Sequence, residues 1–188
     1  MLDGDGNGSF KDFVKHYVLK SINRAAEEGL DLSGFDWIFW KDGIAEDFDF
    51  GKYVDYRTRM KETPAFDNVF EHPTAENEVF GTADRDCCHF TEFGMQQRKN
   101  DWPPADPEIV RIMNPMNYIG SGRSVTAKYF RIRHGASDRD TSLAVSAMLT
   151  AKLRNNGTEA DYHLPWGLPH SGDYDLAELF QWIEEKLR

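Results

Sequence analysis

Apolar residues at spacings of three and four, from Phe10 through Phe13, Val14, Tyr17, Val18 and Ile22, predict an amphipathic helix. Ser9 is placed to cap it and Gly29 to close it. Phe35–Trp40 reads as a short strand ended by Lys41-Asp-Gly43. Residues 48–61 read as a second helix, with Phe50, Val54 and Met60 in phase and Pro64 as the stop. Residues 62–107 are irregular and punctuated by proline, apart from a short helix between Phe90 and Gln97. Beyond residue 125 the pattern becomes regular. Ala127–Arg133 predicts a strand with Phe130 and Ile132 on one face and Tyr129, Arg131 and Arg133 on the other. A strand buried on both faces would be apolar throughout, so this one is expected near a sheet edge. Thr141–Asn155 reads as a helix carrying Leu143, Met148 and Leu153, and residues 159–165 as a second strand. Trp166–Tyr174 is a loop, and residues 175–187 form a last amphipathic helix with Leu176, Leu179, Phe180, Ile183 and Leu187.

The last of these segments run strand, loop, helix, strand, loop, helix, which predicts two parallel strands joined by a crossover helix. The expected fold class is therefore α/β, preceded by a mostly helical and irregular region. The expected division is residues 1–115, which the resemblance given below implies to be a lid-like insertion domain, and 116–188 as an α/β segment. A long loop-rich stretch inside a compact protein is usually functional, and residues 62–107 suit a segment that covers a substrate.

Composition narrows the function classes. The 13 Phe, 7 Tyr and 5 Trp supply enough ring surface for a core despite few aliphatics, which excludes a fully disordered chain. No apolar run approaches the ~20 residues of a membrane span. A net charge of -10 argues against nucleic acid as a partner, because phosphate contacts need clustered Lys and Arg. Cys87 and Cys88 are adjacent, so they staple nothing together, and buried free thiols are expected. No signal peptide is visible, and localisation is left open as cytoplasmic or secreted.

Chemistry enters at the two late loops. Ligands of open α/β sheets bind outside the carboxyl ends of the strands. Asp138 and Asp140 follow one strand end and His170 follows the next, so the loops should emerge side by side. An Asp beside a His is the orienting half of a catalytic triad, in which the carboxylate fixes the imidazole tautomer and stabilises its protonated form. The competing reading makes Asp138 or Asp140 a cap for the helix starting near Thr141.

Residues 129–183, from Tyr129–Gly135 through Asp138–Ala144 to Leu164–Ile183, resemble the carboxyl end of bacterial tannase-like esterases, which have the α/β-hydrolase fold. Upstream, Gly6–Val14, Arg59–Lys61, Pro64–Asp67 and Glu76–Gly81 resemble the lid insertion of that family. The resemblance implies that Asp138 is the triad acid and His170 the triad base. It also implies that Lys61 and Glu76 of the lid, with Asp140, bind the phenolic hydroxyls of a gallic-type ester. Carboxylates accept phenol hydrogen bonds and an ammonium donates them, so the chemistry is compatible. The family's nucleophile is a serine in a Gly-x-Ser-x-Gly elbow. Neither Ser121 in Ile-Gly-Ser-Gly-Arg nor Ser137 in Gly-Ala-Ser-Asp-Arg matches it. The chain is therefore expected to be inactive alone, and to need as partner the amino-terminal segment of the same enzyme. No cofactor is required by this chemistry.

Two further signals compete. Asp3-x-Asp5-x-Asn7-Gly8 opens like a calcium loop, but Val14 stands where the bidentate glutamate belongs, so a polar turn is the preferred reading and a structural calcium the alternative. His134, Asp138, Asp140, His170, Asp173 and Asp175 could instead gather around one or two cations of a metal-dependent hydrolase. A third reading is a non-catalytic binding module of esterase shape.

Overall fold

The computed structural model describes residues 3–60 and 66–188. Among the described residues seven α-helices and four strands follow in order: α1 Ser9–Glu27, β1 Ile38–Lys41, β2 Ile44–Phe48, α2 Phe50–Arg57, α3 Ala75–Val79, α4 Glu92–Gln97, α5 Pro107–Met113, β3 Tyr129–Arg133, α6 Leu143–Asn155, β4 Glu159–His163 and α7 Leu176–Leu187. Among the described residues no helix is long and apolar enough to cross a membrane. The fold is mixed, with one antiparallel and one parallel strand pair.

Contacts divide the described residues into two units. Residues 3–59 and 127–188 make one, and those of 60–126 make the other. The helix and hairpin of the first 59 residues thus pack with the late α/β segment, whereas sequence patterning grouped residues 1–115 together. The reason lies in the core of the first unit, where α1 supplies Val14, Val18 and Ile22 and the late segment supplies Leu143, Ala147 and Tyr162. Val18 and Ile22 are fully buried, each contributing about 1.5–3 kcal/mol. Tyr17 and Tyr162 meet at 4.7 Å between ring centroids, and the Ser21 hydroxyl donates to the Leu164 carbonyl.

β1 and β2 form a hairpin that the sequence reading left as a single strand. Asp42 and Gly43 between them both have positive φ, 49° and 79°, which suits the primed turns of two-residue hairpins. β3 and β4 are parallel, Tyr129 opposite Glu159 through Arg133 opposite His163, with α6 as the connection. Serine caps α6: Ser142 Oγ accepts from Ala144 N–H. The two arginines of the polar face of β3 are covered. Arg133 donates to Asp161 at 2.8 Å and to Asp175 at 2.9 Å, and Arg131 donates to Asp175 at 3.1 Å. Ion pairing lets two guanidinium groups lie on a covered face. It also ties the start of α7 to β3. The apolar side chains Leu176, Phe180, Ile183 and Leu187 of α7 are exposed.

The second unit is organised by a buried carboxylate. Asp67 Oδ1 accepts from Asn77 Nδ2 at 2.8 Å and faces His89 Nδ1 at 2.7 Å, while Oδ2 accepts from Thr91 N–H at 2.8 Å. A Cβ on Gly94 would lie 2.1 Å from Asp67 Oδ2, so only glycine lets α4 approach so closely. Cys87 and Cys88 are buried and free, and burial pushes the Cys87 thiol up.

Candidate active site

Backbone hydrogen bonds continue beyond β3 and β4 and carry the two following loops side by side. His134 N–H donates to His163 O at 3.2 Å, Ala136 N–H to Pro165 O at 2.9 Å and Ser137 N–H to Leu168 O at 3.0 Å. Gly135 sits in this seam. A Cβ there would lie 2.3 Å from Leu168 O and 2.4 Å from Pro169 O, both backbone atoms that cannot swing aside. Gly135→Ala is therefore expected to cost about 1–3 kcal/mol through forced separation of the two loops. A fall in the urea midpoint checks this, and an unchanged midpoint would show that the seam is loose.

The seam delivers Asp138 to His170. Asp138 is 3% exposed, and its Oδ2 lies 2.9 Å from His170 Nδ1. Its other oxygen, Oδ1, accepts from the N–H groups of Asp140 at 2.8 Å and Thr141 at 2.9 Å. One oxygen of Asp138 thus closes the turn before α6, whose cap is Ser142 rather than Asp138 or Asp140, and the other meets the histidine. Burial pushes its pKa up, but the bonds from His170, Thr141 and Asp140 outweigh that and hold it below the usual carboxylate range. Arg57 of α2 donates to the carbonyl oxygens of Asp138 and Thr141, and Tyr53 Oη of the same helix donates to Ala136 O at 2.7 Å, so α2 braces the Asp loop.

The His170 side chain is 59% exposed. Its loop is held from within, since Tyr174 Oη donates to Pro169 O and accepts from Ser171 N–H at 3.0 Å. An imidazole gripped at Nδ1 by a buried carboxylate, with its ring toward solvent, can take and return a proton.

The remaining candidates are distributed otherwise. Asp140 is partly buried in the same loop as Asp138. Glu76 is in the first turn of α3, in the second unit, and is partly exposed. Lys61 lies outside the described residues. Asp3 Oδ1 accepts from the N–H groups of Asp5 and Asn7 at 3.0 and 2.7 Å, and Lys11 Nζ donates to Asn7 Oδ1 at 2.9 Å, an arrangement of a polar turn. Among the described residues no group of three or more His, Cys, Asp or Glu gathers as a metal site. That includes the set His134, Asp138, Asp140, His170, Asp173 and Asp175, because Asp175 is turned to Arg131 and Arg133 instead. A cleft of about 720 Å³ in the same unit is lined by Tyr17, Arg24, Arg154 and Glu178, and not by Asp138 or His170.

Solved structures share this arrangement of the chain. The tannin acyl hydrolase of Lactobacillus plantarum superposes with a TM-score of 0.93 at 38% identity, over 98% of this chain and 40% of the enzyme. The chain is tannase-like. The tannase of Fusobacterium nucleatum gives a TM-score of 0.91 at 39% identity, over 100% of this chain and 40% of that one. A tannin acyl hydrolase in complex with ethyl gallate gives 0.93 at 38% identity, over 100% of this chain and 41% of that one. The tannase-like chain thus spans about 40% of the length of these enzymes. No protein-family model matches it, and no curated relative does.

Proposed function

We propose that this chain is the acid- and base-bearing, carboxyl-terminal part of a serine carboxylesterase of the α/β-hydrolase fold that hydrolyses esters of phenolic acids. The observation that carries the reading is the 2.9 Å contact between Asp138 and His170 at the ends of two adjacent parallel strands. In this reading Asp138 holds His170 with its proton on Nδ1. His170 Nε2 takes the proton of a serine hydroxyl as the oxygen attacks the ester carbonyl, and then gives it to the departing alcohol. The resulting acyl-enzyme is hydrolysed by water activated through the same ring.

The serine comes from a separate nucleophile-bearing segment of the same enzyme, because none of the chain's serines stands in a Gly-x-Ser-x-Gly elbow. That segment would pair with the outer edge of β3 and cover the exposed apolar face of α7. The phenolic acyl group is suggested by the ethyl gallate and 3,4-dihydroxybenzoate complexes of the similar enzymes. Asp140, Glu76 and Lys61 are the candidates to hold its hydroxyls.

The test joins this chain to the part of the Lactobacillus plantarum enzyme that it does not match, and assays ethyl gallate. Turnover is expected from the joined protein, none from the chain alone, and none from the joined protein carrying His170→Ala. Turnover that survives His170→Ala would overturn the proposal. Binding of gallate without any turnover by a folded joined protein would favour a binding module instead.

A further inference from the structure

We infer that Tyr53 and Tyr56, three residues apart on α2, are positioning residues for the Asp138–His170 pair: each tyrosine bonds the Asp138 loop through its hydroxyl and lays its ring against Trp166 of the His170 loop. The inference rests on the reading of that pair as triad acid and base, and adds the element that sets the two loops against each other.

Residues three apart on a helix share a face, so Tyr53 and Tyr56 reach the same neighbours. Tyr53 Oη donates to Ala136 O at 2.7 Å, and Tyr56 Oη accepts from Ser137 Oγ at 3.3 Å. Ala136 and Ser137 are the two residues that precede Asp138. Burial pushes the Tyr53 phenol well above its usual value, so it keeps the proton that it donates. Both rings also stack on Trp166, at 6.2 Å and 25° for Tyr53 and at 6.0 Å and 13° for Tyr56, within the range of offset aromatic pairs. Phe35 closes the cluster edge-on, 5.7 Å from Trp166 and 5.1 Å from Tyr56. Trp166 stands four residues before His170 in the same loop.

The backbone seam leaves one motion open. Among the described residues its last bond runs from Ser137 N–H to Leu168 O, one residue before Asp138 and two before His170. A single row of bonds acts as a hinge line, about which one loop can tilt against the other. The two tyrosines stand off that line and touch both loops. The tilt that leaves Asp138 Oδ2 2.9 Å from His170 Nδ1 is therefore held from a third element. Tyr53 is 1% exposed and belongs to the core, whereas Tyr56 is 39% exposed. Tyr56 can thus be replaced with little loss of buried packing, which separates alignment from stability. A displacement of about 1 Å at a reacting group can cost about 100-fold in rate.

The experiment has two arms. In the joined protein, Tyr56→Leu is expected to lower kcat on ethyl gallate about 10- to 100-fold, with KM within about twofold of the parent. Tyr56→Phe keeps the ring and loses one long hydrogen bond, and is expected to recover kcat to within about threefold. The second arm uses the whole chain and proton NMR. In the parent, nuclear Overhauser contacts are expected between the Tyr56 ring and the Trp166 indole, together with a downfield His170 Nδ1–H resonance. That resonance is expected to persist in Tyr56→Phe and to broaden through exchange with water in Tyr56→Leu. A parent kcat in Tyr56→Leu would overturn the inference. So would a raised KM with unchanged kcat, which would make Tyr56 a substrate contact. Absence of Tyr56–Trp166 contacts from a dispersed parent spectrum overturns it whether or not any variant folds. Where the joined protein lacks turnover, an unchanged His170 resonance in Tyr56→Leu overturns it. Turnover that survives His170→Ala removes the triad reading itself. Turnover lost in His170→Ala and kept in Tyr56→Leu removes the role of the tyrosines alone.

Discussion

Asp138→Asn in the joined enzyme is expected to lower ethyl gallate turnover by about 10⁴-fold, with the fold retained. The two oxygens of Asp138 have different duties. Oδ1 closes the turn through the N–H groups of Asp140 and Thr141, and the asparagine carbonyl can take over that role. The amide NH₂ then replaces Oδ2 opposite His170 Nδ1. Two donors cannot face each other, so His170 must present a bare Nδ1 and carry its proton on Nε2. That tautomer has no lone pair for the serine hydroxyl. Steady-state kinetics at neutral pH, with circular dichroism to verify folding, makes the measurement. A loss below tenfold would mean that Asp138 only caps its loop.

The same carboxylate gives a pH dependence with a definite sign. Asp138 has a depressed pKa in the folded chain, so its ionised form stabilises the fold fully above its ordinary value of 3.8. That contribution is lost as pH falls through the lower, folded value. Asp67 behaves in the same way, and its network is deeper.

Asp67→Ala is expected to destabilise the unit of residues 60–126 by about 3–5 kcal/mol, the scale of removing one partner from a buried ion pair. Asp67 is 2% exposed and His89 1%. The substitution leaves His89 Nδ1, Asn77 Nδ2 and the Thr91 N–H without their acceptor in a space that water does not reach. Burial alone would push the Asp67 pKa up. Bonds from Thr91, His89 and Asn77 more than offset this and leave it below 3.8, so acid should weaken this unit as the pH falls below that value. Amide hydrogen exchange resolves the two units and reports the loss locally. Equal protection of residues 87–94 in parent and variant would show that the carboxylate is dispensable.

The elements legible in the sequence were those whose side chains obey one period. α1 announced itself through Phe13, Val14, Tyr17 and Val18, and β3, α6, β4 and α7 through their own spacings. The Asp138–His170 meeting was legible because strand ends and a crossover fix where loops emerge. Other features were hidden for identifiable reasons. The β1–β2 hairpin depends on the Asp42-Gly43 turn, a local signal that a search for apolar runs passes over. α3 and α5 are five and seven residues long, too short to display a helical period. His134 looked like one more member of an acidic and histidine-rich stretch. Its buried contacts are with Ser146 and the Thr141 carbonyl, which carry no motif. Asp67 lay in an irregular, proline-rich region, and no pattern of apolar residues marks a core built on one carboxylate.

The first unit is assembled from two stretches of chain separated by the whole of the second. On a ribosome this imposes a wait. α1, the hairpin and α2 emerge early, but the surface bearing Tyr17 and Ser21 finds Tyr162 and Leu164 only after the last strand is made. At about 5–20 residues per second the delay is on the order of ten seconds, long compared with the microseconds in which a helix or hairpin forms. During that interval the nascent chain holds an apolar face open to its surroundings or to a chaperone. The speed of synthesis between residues 59 and 127 therefore sets how long that face waits for its partners.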